Sequence, residues 1–155
     1  MSRDLKIDSA KRSVQALKDS MKVYNKYNDT VDTAGTAELT EQNGQEEIFK
    51  AVRSGVIHNF EIAYEQCWKF MQRWLELNIS PNIAKGVFRK EFYRIAVENA
   101  LIDDALAWFS FHETRNSTAH TYDEEIAGEV LKKIIEFMPY AEKFVETVEK
   151  MEGQT

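Results

Sequence analysis

The longest helical pattern in the chain spans residues 45–78, which read QEEIFKAVRSGVIHNFEIAYEQCWKFMQRWLELN. Large apolar residues recur there every three or four positions, so that they share one face of a helix. These residues are Ile48, Val52, Val56, Phe60, Tyr64, Cys67, Trp68, Met71, Trp74 and Leu75. Ser54–Gly55 interrupts the pattern, and a kink is expected there because Gly disfavours a helix interior. A face of this length has to be covered by other helices, which predicts a bundle.

The sequence before this helix divides into a second amphipathic pattern and a polar stretch. Apolar residues from Ile7 to Tyr24 recur in steps of three and four, which predicts a helix over residues 4–27. Residues 29–44 contain two glycines, several threonines and almost no large apolar side chain. We therefore predict a loop over residues 29–44.

Downstream, polar residues mark the starts of further helices. Ser80–Pro81 predicts the start of a third helix, because Ser caps helices and Pro is accepted at their first position. The predicted apolar face of this helix consists of Ile83, Val87, Phe88, Phe92, Ile95 and Ala96. Asp103 or Asp104 is expected to cap a fourth helix, and Asp123 a fifth. Pro139 is expected to break or kink the fifth helix, with a further helical segment after it.

Together these patterns predict an all-α fold. No segment shows the sustained period-2 alternation of a strand, and six Gly and two Pro among 155 residues indicate few turns. The expected architecture is an antiparallel up-and-down four-helix bundle with an additional C-terminal helical segment. A chain of this length fits one domain, which is predicted over residues 1–155.

Composition and charge exclude several classes of function. The net charge is −6, which does not suit a protein that coats nucleic acid through its phosphates, although a local basic site is allowed. The longest apolar run has five residues, Ala105–Phe109, whereas a membrane span needs about 20. The first residues are charged and lack the apolar region of a secretory signal, so a cytoplasmic protein without membrane contact is expected. With one Cys and three His, neither a metal site nor a cofactor is predicted.

One polar segment, RNSTAHTY at residues 115–122, contains side chains that are suited to catalysis. Arg115 can bind a phosphate through two hydrogen bonds and His120 can move a proton near neutral pH, which suits phosphodiester cleavage with the 2′-hydroxyl of RNA as nucleophile. A polar helix end buried in a subunit contact is an alternative interpretation. On a regular helix Arg115 and His120 point about 140° apart. For them to act together, the helix must break between them or a second subunit must complete the pair.

Two other charged groups have open interpretations. The basic group consists of Lys85, Arg89 and Arg94. It could contact RNA or a nucleotide, or it could form a solvated face. The second group, with intervals of four residues, consists of Glu61, Glu65 and Lys69. It could line a cleft or a partner surface, or it could form a solvated ladder of ion pairs along a helix.

The segment at residues 115–122 resembles the R-x4-H-x-Y motif of the HEPN superfamily, in which a polar residue such as Asn116 typically follows the Arg. Residues 53–69 resemble the pattern R-x-G-V-I-x-x-F-E-x-x-[FY]-E-x-x-W-K of the nucleotidyltransferase substrate-binding protein branch. The chain departs from that branch at Ser117, where an apolar residue is common, and at Ala119, where Ser is common. Neither departure changes the Arg, His or Tyr of the motif.

This resemblance implies a helical-bundle homodimer in which Arg115 and His120 of both subunits line a cleft. It implies a separately encoded minimal nucleotidyltransferase as partner, often the antitoxin of a toxin–antitoxin pair. The activity it implies is that of a metal-independent endoribonuclease, with Arg115 and His120 as catalytic residues and Asn116 in support. The partner is expected to silence this activity, in some members by transferring AMP to the motif tyrosine, here Tyr122. A non-catalytic subunit that binds a nucleotide or presents a substrate to the transferase is the alternative.

Overall fold

The fold consists of five helices and one 3₁₀ turn in the part of the chain that the structure describes. The computed structural model describes residues 5–34 and 39–153, with the side chains of residues 5–28, 44 and 46–153. The elements are α1 (Asp8–Ala34), α2 (Leu39–Asn78), α3 (Arg89–Glu98), α4 (Ala105–Ser117), a 3₁₀ turn (Thr118–His120) and α5 (Glu124–Gly153). These ranges contain no strand, so the predicted all-α class is confirmed. Within them, no helix is long and apolar enough to cross a lipid bilayer.

Contacts between helices show that α1, α2, α4 and α5 run alternately up and down. The contacts between α1 and α2 are Tyr24–Phe49 and Ala16–Asn59. The ion pairs between α1 and α5 are Lys11–Glu149 and Lys18–Glu142. The ring contacts between α4 and α5 include Trp108–Phe144 and Phe111–Phe137. In every set the residue numbers rise on one helix and fall on the other, so the predicted antiparallel four-helix bundle is confirmed, with α3 in the connection between α2 and α4.

The centre of the core is the indole of Trp108, which is 1% exposed. Four aromatic rings surround it at centroid distances between 5.6 and 6.0 Å. They belong to Tyr93 of α3, Phe111 of α4, and Phe137 and Phe144 of α5. Because aromatic rings bury large apolar areas and pack in preferred geometries, this cluster fixes α4 against α5.

Two predicted helix starts are confirmed by side-chain hydrogen bonds. The backbone N–H of Ala107 donates to Asp104 Oδ1 at 3.0 Å, which caps α4. The N–H groups of Glu125 and Ile126 donate to Asp123 Oδ1 at 2.9 and 3.3 Å, which caps α5. Each carboxylate satisfies N–H groups that have no partner within the helix, and its charge interacts favourably with the helix dipole.

The prediction that a helix starts at Ser80–Pro81 is wrong. Residues 81–86 form turns, and α3 begins only at Arg89. Gly86 has a φ of +70°, and this left-handed conformation interrupts any helix that approaches it. As a result Phe88, which was predicted to lie on an apolar helical face, is 88% exposed.

The loop predicted over residues 29–44 is too long. α1 continues to Ala34 and α2 begins at Leu39, while residues 35–38 lie outside the described ranges. No Pro occurs in this stretch, and the Leu, Glu and Gln residues at the start of α2 are good helix formers, so the polar composition of the stretch does not prevent a helix. That the whole chain forms a single domain stays a prediction.

Pro139 does not end the last helix. α5 runs without a break from Glu124 to Gly153, so the predicted C-terminal segment is the second half of the same helix. A Pro inside a helix removes one backbone hydrogen bond. Phe137 and Ala141 on either side of it are fully buried, and their packing offsets that loss. The predicted interruption at Ser54–Gly55 likewise does not end α2.

The Asp104 cap can be tested by two substitutions. Asp104→Ala should lower the free energy of unfolding by about 1 kcal/mol, because the Ala107 N–H loses its acceptor. Asp104→Asn keeps a side-chain oxygen in the same place and should cost much less. Urea unfolding followed by circular dichroism measures both. Equal losses for the two variants, or no loss with Ala, would contradict the assignment of the hydrogen bond as the stabilising contact.

Candidate functional site

The helix changes type inside the RNSTAHTY segment. α4 ends at Ser117, and the 3₁₀ turn follows over Thr118–His120. The hydroxyl of Thr118 donates to the carbonyl of Arg115 at 2.7 Å, and that of Ser117 donates to the carbonyl of Glu113 at 3.2 Å. Such bonds satisfy helix carbonyls with side chains and loosen the regular helix. The regular α-helix therefore ends inside this segment, between Arg115 and His120.

Arg115 points toward α2, where carboxylates hold it. Its Nη1 lies 2.9 Å from Glu61 Oε2, and its Nε lies 3.6 Å from Glu65 Oε1. The same Nη1 donates to Thr118 Oγ1 at 3.0 Å. The Arg115 side chain is 32% exposed, so its charge is partly removed from water and depends on these partners. The contacts therefore fix the orientation of the guanidinium group.

His120 lies on a different side of the segment. Its side chain is exposed and lines a groove of about 430 Å³ between α4 and α5. The other residues that line this groove are Ser110, Glu113, Thr114, Ser117, Ile126, Glu129, Val130 and Lys133. Among the described side chains no hydrogen bond or ion pair engages the imidazole, and its ring lies 6.1 Å from that of Tyr122. The imidazole is therefore available to a ligand.

Arg115 and His120 of one chain do not meet. Arg115 does not line the groove beside His120, and no hydrogen bond joins the two side chains within the described residues. The change of helix type alone thus does not unite the pair. Completion of the site by a second subunit, the other route that the sequence allows, stays a prediction.

The remaining two residues of the motif have different surroundings. Tyr122 is 84% exposed, which leaves its ring open to a macromolecular partner. Asn116 Nδ2 lies 3.5 Å from His112 Nε2, so this amide contacts neither Arg115 nor His120. Burial, together with the nearby positive charge of Arg89, lowers the pKa of His112. The supporting role predicted for Asn116 stays a prediction.

The three basic residues predicted to contact RNA or a nucleotide form no hydrogen bond or ion pair with residues 115–122 among the described side chains. The guanidinium carbon of Arg89 lies 3.8 Å from the centroid of the Trp68 ring, a cation–π contact inside a packed cluster. Arg94 forms an ion pair within α3 at 3.3 Å, and Lys85 is exposed in the turn before that helix. Their contact with RNA stays a prediction.

The sequence does not predict the contact of Thr118 with Arg115. It leaves open whether Glu61 and Glu65 line a cleft or form a solvated ladder. Glu65 does form the ladder pair with Lys69, at 3.7 Å, but Glu61 and Glu65 also reach across to α4. Their spacing of four residues places both carboxylates on one face of α2, and this was the available signal. Thr118 carries no comparable signal, because its contact with Arg115 arises only where α4 ends against α2.

Other reactive groups do not form a second site. Among the residues that the structure describes, no group of three or more His, Cys, Asp or Glu side chains is placed to hold a metal ion. Cys67 is fully buried, and burial raises the pKa of its thiol to about 12. A thiol with this pKa stays protonated near neutral pH and is a poor nucleophile.

Comparisons with known proteins agree on one family. The family described as nucleotidyltransferase substrate binding protein like matches residues 5–150. A Haemophilus influenzae protein named Probable ribonuclease HepT is 35% identical over 86 residues, which cover 55% of this chain and 59% of that protein. The chain thus matches less than two thirds of the length of that relative. A solved H. influenzae structure, described as the fold of a substrate binding domain of a nucleotidyltransferase, has a TM-score of 0.79 at 23% identity and covers 93% of this chain and 99% of its own.

The contribution of the Thr118 hydroxyl to stability can be tested with two substitutions of similar size. Thr118 is 8% exposed, so Thr118→Val should remove the hydrogen bonds of its hydroxyl with the Arg115 carbonyl and with Arg115 Nη1, and it should cost about 1–3 kcal/mol of unfolding free energy. Thr118→Ser keeps the hydroxyl and should cost less, about the burial of one methyl group. Urea unfolding measures both. A Ser variant as unstable as the Val variant would show that packing, not the hydroxyl, matters here.

Proposed function

The chain belongs to the nucleotidyltransferase substrate binding protein family, and we propose that it is a HEPN-type endoribonuclease silenced by a minimal nucleotidyltransferase. The proposal includes a homodimer of single-domain chains that acts in the cytoplasm as the toxin of a toxin–antitoxin pair. The name of the relative, Probable ribonuclease HepT, supports the ribonuclease activity, and the name of the family supports the transferase partner. The residues proposed to act are Arg115 and His120.

The observation that carries this proposal is the imidazole of His120, exposed and without a hydrogen bond to the described side chains, five residues after a fixed guanidinium. A histidine in water has a pKa near neutrality and can both accept and donate a proton. The guanidinium of Arg115 supplies positive charge for a phosphate. Because the two groups point to different sides of one chain, we place the working pair across a two-fold axis, with Arg115 of one protomer facing His120 of its partner.

The proposed reaction needs only these groups and the RNA. The 2′-oxygen of a ribose attacks the adjacent phosphorus and loses its proton, while the bond from phosphorus to the 5′-oxygen breaks and that oxygen gains a proton. His120 moves the proton to or from these oxygens. Arg115 stabilises the extra negative charge of the pentacoordinate phosphorus. The products are a 2′,3′-cyclic phosphate and a 5′-hydroxyl, and DNA is spared because it has no 2′-hydroxyl.

Expression without the partner tests the activity. The wild-type chain should arrest growth and degrade RNA, and Arg115→Ala or His120→Ala should relieve the arrest. His58→Ala, a change at an exposed histidine of α2, is the matched control and should stay toxic. A harmless wild-type chain that leaves RNA intact would contradict the ribonuclease.

Mixed dimers test the shared site. If each site combines Arg115 of one protomer with His120 of its partner, refolding the Arg115→Ala and His120→Ala chains together should restore about a quarter of the wild-type cleavage rate. Half of the dimers would then be mixed, and each would hold one intact site. No restoration, in a sample shown to contain mixed dimers, would place both groups of a working site in the same chain.

The second candidate function is that of a non-catalytic subunit that binds a nucleotide or presents a substrate to the transferase. The observation that favours it is the pairing of Arg115 with Glu61 and Glu65, which occupies the cation that a nuclease would direct at phosphate. On this account the chain is harmless when expressed alone, and Arg115→Ala weakens nucleotide binding in the complex without any loss of RNA cleavage.

Tyr122 is the residue that we propose the partner modifies. Its exposure leaves room for a transferase, and its ring lies 6.1 Å from that of His120. The phenol oxygen would attack the α-phosphorus of ATP with loss of its proton and release of pyrophosphate, which leaves AMP on the tyrosine. The added phosphate and base would then block RNA at His120 and repel it.

Mass spectrometry tests this modification. Incubation with the cognate nucleotidyltransferase, ATP and Mg²⁺ should add AMP to the wild-type chain and not to Tyr122→Phe. Tyr27→Phe, at another exposed tyrosine, should be modified like the wild type. An undiminished increment in Tyr122→Phe would refute the assignment and leave the ribonuclease proposal untouched.

A further inference from the structure

Two carboxylates of α2 converge on the single cation at the end of α4. Glu61 and Glu65 lie one helical turn apart, so both face the same neighbour. Glu61 Oε2 is 2.9 Å from Arg115 Nη1, and Glu65 Oε1 is 3.6 Å from Arg115 Nε. We call Glu61 and Glu65 the carboxylate pair. One carboxylate is enough to neutralise one guanidinium, so charge neutralisation does not explain the second.

Thr118 contacts both Glu61 and Arg115. Its hydroxyl accepts a hydrogen bond from Arg115 Nη1 at 3.0 Å and lies 3.2 Å from Glu61 Oε2. Thr118 is 8% exposed and follows Arg115 by three residues, so the end of α4 itself carries the third group. Two groups, Glu61 of α2 and Thr118 of the 3₁₀ turn, thus hold Nη1, and Glu65 lies beside the buried Nε, which restricts the rotation of the guanidinium.

The contacts leave one edge of the guanidinium unused. The one hydrogen bond of the guanidinium within the described residues leaves from Nη1, the buried Nε has an ion-pair neighbour but no hydrogen-bond partner, and no contact engages Nη2. Because Arg115 is 32% exposed, part of this side chain still reaches solvent. A planar guanidinium held at Nη1 presents its Nη2 N–H donors in a fixed direction, which suits a phosphate oxygen.

We propose that the carboxylate pair positions Arg115, so that its Nη2 edge faces the phosphate of a bound RNA. The inference rests on the proposed function, because it takes RNA as the ligand of Arg115. Glu61 and Glu65 touch neither RNA nor the reacting atoms in this account, and they act only through Arg115. Holding a reacting group in place before the substrate binds removes an entropic cost from the transition state.

The opposite effect of the carboxylate pair would be competition with phosphate. Two carboxylates and one guanidinium sum to one negative charge, which opposes an anionic ligand, and Lys69 offsets this in part from 3.7 Å away from Glu65. The two roles predict opposite outcomes. Loss of a positioning residue lowers kcat and leaves KM unchanged or lower, whereas loss of a competitor tightens RNA binding and raises the rate.

Cleavage of a short RNA by the full-length purified protein separates these roles. Glu61→Ala should lower kcat by about tenfold or more, within the range that misplaced catalytic groups cause, and change KM by less than about threefold. Glu61→Gln keeps an oxygen beside Nη1 and removes only the charge, so it should restore most of the rate. Glu76→Ala, on the same helix about 16 Å beyond Glu65, should match the wild type. Rates are expressed per folded protein, as determined by circular dichroism.

Two results would overturn the proposal. If Glu61→Ala cleaves RNA as fast as the wild type per folded molecule, the contact is only structural. If it binds RNA more tightly and cleaves faster, the carboxylate pair competes with phosphate.

A second measurement does not depend on cleavage. Nitrogen-15 relaxation of the Arg115 Nε–Hε group should show an ordered side chain in the wild type and in Glu61→Gln, and a mobile one in Glu61→Ala. Titration with a 2′-O-methyl oligonucleotide, which cannot be cleaved, measures RNA binding through Arg115. Suppose that no RNA is cleaved, but Arg115 is ordered in the wild type and in Glu61→Gln, is mobile in Glu61→Ala, and binds the oligonucleotide. The ribonuclease proposal then fails, and the proposal that the carboxylate pair positions Arg115 stands. Unchanged order of Arg115 in Glu61→Ala refutes the positioning whatever the RNA does.

Discussion

The packing of Trp108 against the two phenylalanines of α5 determines where α4 lies and therefore where its end points. Trp108 and Phe111 occupy the buried stripe of α4, and Thr114 and Thr118 continue that stripe toward the C-terminal end. Residues three, four and seven positions apart share one side of a helix. The stripe is therefore apolar where α4 meets the core and polar where it meets α2. Arg115 reaches α2 because the first half of the helix is anchored in the core.

A partly buried arginine imposes a second constraint. A cation removed from water requires partners, and leaving one unpaired costs several kcal/mol. α2 places two carboxylates in successive turns beside the guanidinium, and the hydroxyl of Thr118 accepts a hydrogen bond from Nη1, whereas the buried Nε has no hydrogen-bond partner. The core-facing residues of α2 at this level, Phe60 and Tyr64, are fully buried, and each glutamate directly follows one of them in the sequence. The site is thus built into the packing of α2 on α4, while His120 and Tyr122 lie beyond the last turn, where the packing ends.

The sequence predicts the parts of this molecule that depend on local chemistry. Period-3.6 apolar patterns correctly indicate α1 and α2, and the carboxylates of Asp104 and Asp123 correctly mark the starts of α4 and α5. The loosening of α4 after Arg115 follows from Ser and Thr residues that compete for backbone carbonyls. These features need no knowledge of distant residues.

The features that the sequence misses depend on conformation or on distant contacts. The helix predicted after Pro81 fails because Gly86 adopts a left-handed conformation, and a residue type permits that conformation without requiring it. The continuity of α5 through Pro139 depends on the burial of its neighbours. The partners of Arg115 lie 50 and 54 positions earlier in the chain at Glu65 and Glu61, and only the antiparallel packing of α2 and α4 brings them together.

The central claim is that one catalytic unit takes its arginine from one protomer and its histidine from the other. A crystal structure with a 2′-O-methyl oligonucleotide tests it most directly. The account predicts a dimer in which one backbone phosphate lies within hydrogen-bonding distance of Arg115 of one protomer and His120 of its partner. A phosphate bound away from Arg115, or RNA bound to a monomer with both groups engaged from the same chain, would contradict it.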